Sequence, residues 1–260
     1  MPPVAGVGAR PTRVKPKVAF FDFASCEGCQ LTVVDALQTH LDLLDAVEIV
    51  EFREASSSQS DEYLVAFVEG SITREQDEPR LRQIRERAAV LVALGACAHT
   101  AGVNGLKAFH PLDDVRRWVY GDAAPWYDTY PARPISAVVK VDAFIPGCPI
   151  DRNEFVEVVK AVLAGKKPHI PDYPVCVECK LKANVCVYHV GGDCLGPVTR
   201  AGCGAICPTF GDGCEGCRSL IPHPNRNAMK DVLAEAGLTV DDILGRYTMF
   251  NAYLETQAQK

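Results

Sequence analysis

The chain has 260 residues, 48% of them hydrophobic and 23% charged, with a formal net charge of −6. This is enough apolar material for one large domain or two smaller ones, and the acidic balance offers no basic face for nucleic acid. No apolar run approaches the roughly 20 residues that span a bilayer. The opening MPPVAGVGARPTRVKPK has neither an apolar signal core nor twin arginines, so residues 1–16 read as a flexible arm and the expected compartment is the cytoplasm.

From residue 17 onward, apolar runs alternate with amphipathic segments. KVAFFDF at 17–23 reads as a strand, and helical spacing follows through Leu31, Val34, Leu37, Leu41 and Leu44. Strands are expected at 47–52 and 63–68, a charged helix at 74–87 with Leu81 and Ile84 inward, and a strand at 89–94. A further strand is expected at 137–145, then a helix at 152–164 ended by Gly165. The stretch 102–134 has two Trp and little periodicity, and is read as a long excursion. Continuous apolar strands separated by helices predict an α/β fold with a parallel sheet covered on both faces. Two short helices are expected at 229–237 and 240–244.

Twelve cysteines are out of keeping with a reducing compartment unless they hold metal. Four of them, Cys26, Cys29, Cys97 and Cys148, each fall just past the C-terminal end of an expected parallel strand. Open α/β sheets bind ligands at that edge, so three distant loops are expected to bring four thiolates to one metal or cluster site. Gly28, Gly95 and Gly147 beside them would let backbone amides approach sulfur, although each also serves as an ordinary turn glycine.

The other eight cysteines lie between 176 and 217, spaced C-x2-C-x6-C-x7-C and then C-x3-C-x6-C-x2-C, in a stretch punctuated by Gly and Pro. A segment with so little core must be held by its metals. Zinc would accept the C-x2-C pairs. The Cys207–Pro208 step, the scattered ligands of the first site and the division of twelve thiols into three fours favour three 4Fe–4S clusters. Spacing alone leaves the pairing of the tail open, since exchanging Cys194 with Cys203 fits nearly as well.

CEGCQL at 26–31, GACAHTAG at 95–102, PGCP at 146–149, CLGPVTRAGC at 194–203 and CEGC at 214–217 resemble the small, electron-transferring subunit of nickel–iron hydrogenases, particularly the cytoplasmic multisubunit kinds. The resemblance implies a flavodoxin-like domain at 17–170 holding a proximal cluster on Cys26, Cys29, Cys97 and Cys148. It implies a small, irregular iron–sulfur domain at 171–260. The distal cluster would sit on Cys176, Cys179, Cys186 and Cys194, and the medial one on Cys203, Cys207, Cys214 and Cys217. Many periplasmic relatives have a histidine where Cys176 stands, and three medial cysteines, so Cys207 looks like an added fourth ligand. All-Cys ligation implies lower potentials. With every thiol assigned, the resemblance implies a nickel–iron large subunit as partner. It also implies a flavin- or iron–sulfur-containing acceptor subunit that reduces NAD(P), ferredoxin or a similar acceptor.

Of the histidines, His99 is a candidate donor to a cluster or a partner contact, and His189 a lesser candidate ligand. Glu27 is a candidate for a partner contact or a proton route. The rival readings are a subunit like that of respiratory complex I or a membrane-bound hydrogenase, and a zinc-held interaction scaffold. Complex I chains of this type have adjacent cysteines in the first motif, whereas Glu27 and Gly28 separate Cys26 from Cys29 here.

Overall fold

The computed structural model describes residues 14–258, and the first thirteen residues of the expected arm lie outside it. Five strands, β1 (Lys17–Asp22), β2 (Glu48–Phe52), β3 (Val65–Glu69), β4 (Val90–Leu94) and β5 (Ala143–Ile145), form one sheet in the order β2-β1-β3-β4-β5. Every pairing is parallel. This is the flavodoxin-like order, whose switch point lies between β1 and β3. The helices of this half are α1 (Gly28–Thr39), α2 (Leu41–Ala46), α3 (Asp77–Arg87), α4 (Gly95–Thr100), α5 (Leu112–Tyr120) and α6 (Arg152–Leu163).

Strand alternation sends Val18 and Phe20 to one face and Ala19 and Phe21 to the other. On the first face Phe20 stacks on Phe52 and Phe67, with centroids 4.4 and 5.0 Å apart, under Val33 of α1 and Phe155 of α6. Burying each such ring contributes roughly 1.5–3 kcal/mol. On the second face Ala66, Val68, Leu91 and Ala93 meet Leu81 and Ile84 of α3, the two residues expected to point inward.

Three expectations need correction. The helical stripe from Leu31 to Leu44 is two helices, because the backbone leaves helical geometry at His40 (φ −126°, ψ 66°), whose amide makes the last bond of α1 to the Ala36 carbonyl at 2.9 Å. Their buried face is Val33, Ala36 and Leu43, while Leu31, Leu41 and Leu44 are exposed. The strand expected at 137–145 shrinks to β5. Val138, Val139 and Val141 pack on the second face without joining the ladder. Asp142 accepts from the Leu91 amide at 2.9 Å and pairs with Arg85. The excursion resolves into α5 between two 3-10 turns, at Gly102–Phe109 and Gly121–Trp126.

The tail contains α7 (Val175–Leu181), α8 (Ile206–Thr209), α9 (Arg226–Glu235) and α10 (Val240–Ala258). Its apolar residues form two small clusters, one around Leu195, Leu233 and Tyr247, the other around Val175, Val187 and Ala205. The short helix expected at 240–244 continues to Ala258 through a kink at Asn251. It packs back on α4 and the turn at 102–109, where Thr100 Oγ1 donates to the Phe250 carbonyl at 2.8 Å.

Candidate metal centres

The four early cysteines stand at the carboxyl edge of the sheet. Cys26 lies in the turn after β1. Glu27 then takes a left-handed conformation (φ 62°), and α1 begins at Gly28. None of the first-turn residues of α1 is acidic. Instead the buried Glu69, which ends β3, accepts from the amides of Cys29 and Gln30 at 3.2 and 3.0 Å. That carboxylate satisfies amides a helix N-terminus leaves unpaired, and so fixes Cys29. Cys97 is carried by α4 directly after β4, and Cys148 follows β5. Ala96 N donates to Gly147 O at 2.7 Å, which ties the two loops together.

Electrostatics shows the four thiols as neighbours. Burial pushes the Cys29 thiol well above the ordinary range, and Glu69, Cys97 and Cys148 raise it further. Burial, then Cys148, Glu69 and Cys26, push Cys97 up to about 12. Burial, Cys26 and Glu69 raise Cys148. Thiolates cannot form here without a compensating positive group.

The tail cysteines fall into two neighbourhoods. Burial, with Cys194, Cys179 and Cys186, pushes Cys176 up to about 11. Cys194 Sγ accepts from Gly196 N at 3.2 Å and from Cys214 N at 3.1 Å. In the second neighbourhood burial and Cys203 raise Cys207. Burial pushes Cys217 up to about 11, the Cys148 backbone opposes the rise, and Cys203 and Cys207 add to it. Burial also raises Cys214, with Cys194 and Cys217 contributing. The two neighbourhoods thus meet at Cys194 and Cys214, and the second is tied to the Cys148 loop by Arg218, which follows Cys217 and donates to the Pro146 carbonyl at 2.8 Å.

The residues fit iron–sulfur groups on three observations. The donor sets are thiols throughout, which suits such clusters. A Cβ on Gly95 would collide with Cys29 Sγ, and one on Gly196 would stand 3.1 Å from Cys194 Sγ and 3.6 Å from Cys176 Sγ. The wholly buried Asn251, whose side-chain amide has no hydrogen-bond partner, lies beside Gly216 in the Cys214–Cys217 loop. Among the described residues no three His, Cys, Asp or Glu side chains stand close enough to clasp a single ion.

The other candidates are placed differently. The His99 ring lies flat on Phe144 (4.0 Å, 5°), and burial with the nearby Arg200 pushes its pKa down to about 4. His189 is exposed in the turn Val187–Val190. Glu27 lies against Glu54, which raises its pKa. Glu69 and the buried Arg218 are not singled out by sequence pattern. An acid closing the wholly buried strand VAFVE is the signal that marks Glu69.

A doubly wound sheet with thiols gathered at its carboxyl edge and a thiol-rich tail defines an α/β protein whose donor groups suit metal. The chain belongs to the family described as NADH ubiquinone oxidoreductase, 20 Kd subunit, which it matches over residues 26–162. It is 39% identical to the sulfhydrogenase 2 subunit delta of Pyrococcus furiosus, over 84% of this chain and 92% of that protein. It is 31% identical to a subunit of the F420-non-reducing hydrogenase vhu of Methanocaldococcus jannaschii, over 94% and 98% of the two chains. A chain of the crystal structure of an NAD+-reducing [NiFe]-hydrogenase superposes with a TM-score of 0.55 at 26% identity, covering 60% of this chain and 96% of that one. The resemblance to hydrogenase small subunits therefore holds, as does the flavodoxin-like fold. The family's description carries the complex I name, whereas these relatives carry hydrogenase names. Among the described residues no helix is long and apolar enough to cross a membrane.

Proposed function

We propose that the chain is the electron-relay small subunit of a cytoplasmic nickel–iron hydrogenase. It would link a nickel–iron large subunit to a flavin- or iron–sulfur-containing acceptor subunit that serves NAD(P), ferredoxin or a similar carrier. The observation that carries this reading is the linear contact order of the three thiol sets. The sheet-edge set meets the second tail set through Arg218, which follows Cys217 and donates to the carbonyl of Pro146, two residues before Cys148, at 2.8 Å, and that set meets the first tail set through Cys214 N and Cys194 Sγ, 3.1 Å apart.

The residues fit proximal, medial and distal roles in that order. Cys26, Cys29, Cys97 and Cys148 would hold the proximal cluster, Cys203, Cys207, Cys214 and Cys217 the medial one, and Cys176, Cys179, Cys186 and Cys194 the distal one. Bound 4Fe–4S clusters would each take up and release one electron. The protein's own part is to desolvate the thiols, aim amides at their sulfurs and keep the three sets in contact. Cys203 counts Cys207 and Cys217 among its neighbours and Cys194 counts Cys186 and Cys179, which supports the chain-order division over the exchanged one.

The test is purification of the intact complex from its native host without oxygen, followed by exposure to hydrogen. Nickel in a co-purifying larger chain, together with reduced iron–sulfur EPR signals that appear under hydrogen, is the expected result. A chain that purifies without nickel, or whose signals ignore hydrogen, overturns the reading.

A further inference from the structure

Arg218 is the largest side chain buried to below 2% exposure, and it forms the junction between the two halves. Its guanidinium is a rigid fork of donors. Nε donates to the Ala201 carbonyl at 2.8 Å, Nη1 to the Pro146 carbonyl at 2.8 Å, and Nη2 to Glu154 Oε1 at 2.6 Å. Pro146 precedes Cys148 by two residues, Ala201 precedes Cys203 by two, and Arg218 itself follows Cys217. One side chain therefore grips the backbone beside three candidate ligands from two different sets. Glu154 is held in turn at the start of α6, where the Asp151 carboxylate caps its amide at 2.9 Å.

The backbone is shaped to admit this fork. At Gly202 (φ +116°) a Cβ would overlap Nη2 of Arg218 and stand 2.7 Å from Glu154 Oε1. Both partners are out of solvent, with side-chain exposures of 1% and 8%. Burying an ion pair costs desolvation that its attraction does not reliably offset, and apolar side chains of similar volume often stabilise better. Stability alone is therefore a poor reason to place a guanidinium here. A rigid, charged connector of fixed geometry suits a junction whose spacing matters, because electron tunnelling falls steeply with separation.

We propose that Arg218 is the positioning residue that sets the approach of Cys148 to Cys217, and with it electron passage between the sheet-edge group and its neighbour in the tail. This rests on the relay reading. Cys26, Cys29, Cys97 and Cys148 would hold the group that gives up one electron, and Cys203, Cys207, Cys214 and Cys217 the group that takes it up. No bond forms or breaks and no proton moves. The fork supplies the geometry, and the positive charge favours the reduced state of the groups beside it.

The test uses the intact complex with Arg218→Lys, Arg218→Gln and Glu154→Gln, each assayed for iron, for cluster potentials by EPR-monitored titration with a chemical reductant, and for turnover. Arg218→Lys keeps the charge and loses the fork. It is expected to keep its potentials while electron delivery to the acceptor falls about 10–100-fold, the usual cost of losing a supporting partner around a metal ligand. Hydrogen–deuterium exchange, which would occur in the large subunit, is expected to persist. Arg218→Gln is expected to slow delivery and also lower the potential of the group nearest Cys217. Glu154→Gln preserves shape and an acceptor oxygen, so it is the variant expected to fold if the others lose iron. It leaves the guanidinium uncompensated and is expected to raise that potential. Wild-type delivery in Arg218→Lys, or an unchanged potential in Glu154→Gln, overturns the proposal. A wild-type complex inert to hydrogen refutes the relay reading instead, and the chemical titration still reads the charge at the junction.

Discussion

Replacing Gly95 with Ala tests whether the sheet edge is shaped around its thiols. The residue has φ +82°, so an alanine incurs about 1–2 kcal/mol of left-handed strain. Its Cβ would also collide with Cys29 Sγ, the thiol of a side chain only 7% exposed. Relief requires moving either Cys29 or the backbone that carries the Ala96 N to Gly147 O bond, 2.7 Å long, and such a bond contributes about 1 kcal/mol. The sum is about 2–3 kcal/mol plus displacement of one ligand. Gly237→Ala is the matched control, since Gly237 has φ +92° with nothing within 4 Å of an added Cβ. Protein made without oxygen would be assayed for iron, sulfide and thermal midpoint. Gly95→Ala is expected to lose about one cluster's four irons, whereas Gly237→Ala loses stability by the strain alone and keeps its iron. Full iron in Gly95→Ala, with a midpoint no lower than the control's, would show that the edge is not built around its thiols.

Asp151→Ala removes a cap that accepts from Asn153 N and Glu154 N, both at 2.9 Å. It should cost about 1 kcal/mol, seen as a fall of roughly 2–4 °C in thermal midpoint; an unchanged midpoint would count against the cap. Lys107 donates to Thr129 Oγ1 at 2.6 Å, and burial pushes its pKa down from 10.5 to about 8. The folded state then binds fewer protons than the unfolded state between those values, so stability rises with pH across that window. Lys107→Met should add about 1–2 kcal/mol at pH 7, after discounting for partial exposure, and flatten that rise; an unaltered pH profile would contradict it. Cys207→Ala leaves Cys203, Cys214 and Cys217, and should lower iron by about one atom per chain with a three-iron EPR signal. An unchanged iron count would remove Cys207 from the set.

Much of the sheet is legible in the sequence because continuous apolar runs such as VAFVE and VLVAL bury both faces and leave little else for the chain to form. The cysteines of the sheet edge are legible for the same reason, since each closes such a run. The shortness of β5 is not, because Val138, Val139 and Val141 satisfy the apolar pattern by packing rather than by pairing. The break at His40 hides from periodicity, since the backbone turns there at a residue that is neither Pro nor Gly. Helix α10 reads as shorter than it is because buried Thr248 and Asn251 interrupt its apolar pattern. Arg218 is invisible for a related reason. A lone arginine after a cysteine is ordinary on a surface, and only the fold carries Pro146, Glu154 and Ala201 to it.

The proposed relay needs all twelve thiols to hold three iron–sulfur clusters, and a count of iron, zinc and acid-labile sulfide per chain decides whether they do. The measurement belongs on protein purified without oxygen from its native host. About twelve iron and twelve sulfide per chain is the expected result, four of each for every all-cysteine 4Fe–4S group. About three zinc and no sulfide would overturn it and leave a zinc-held scaffold.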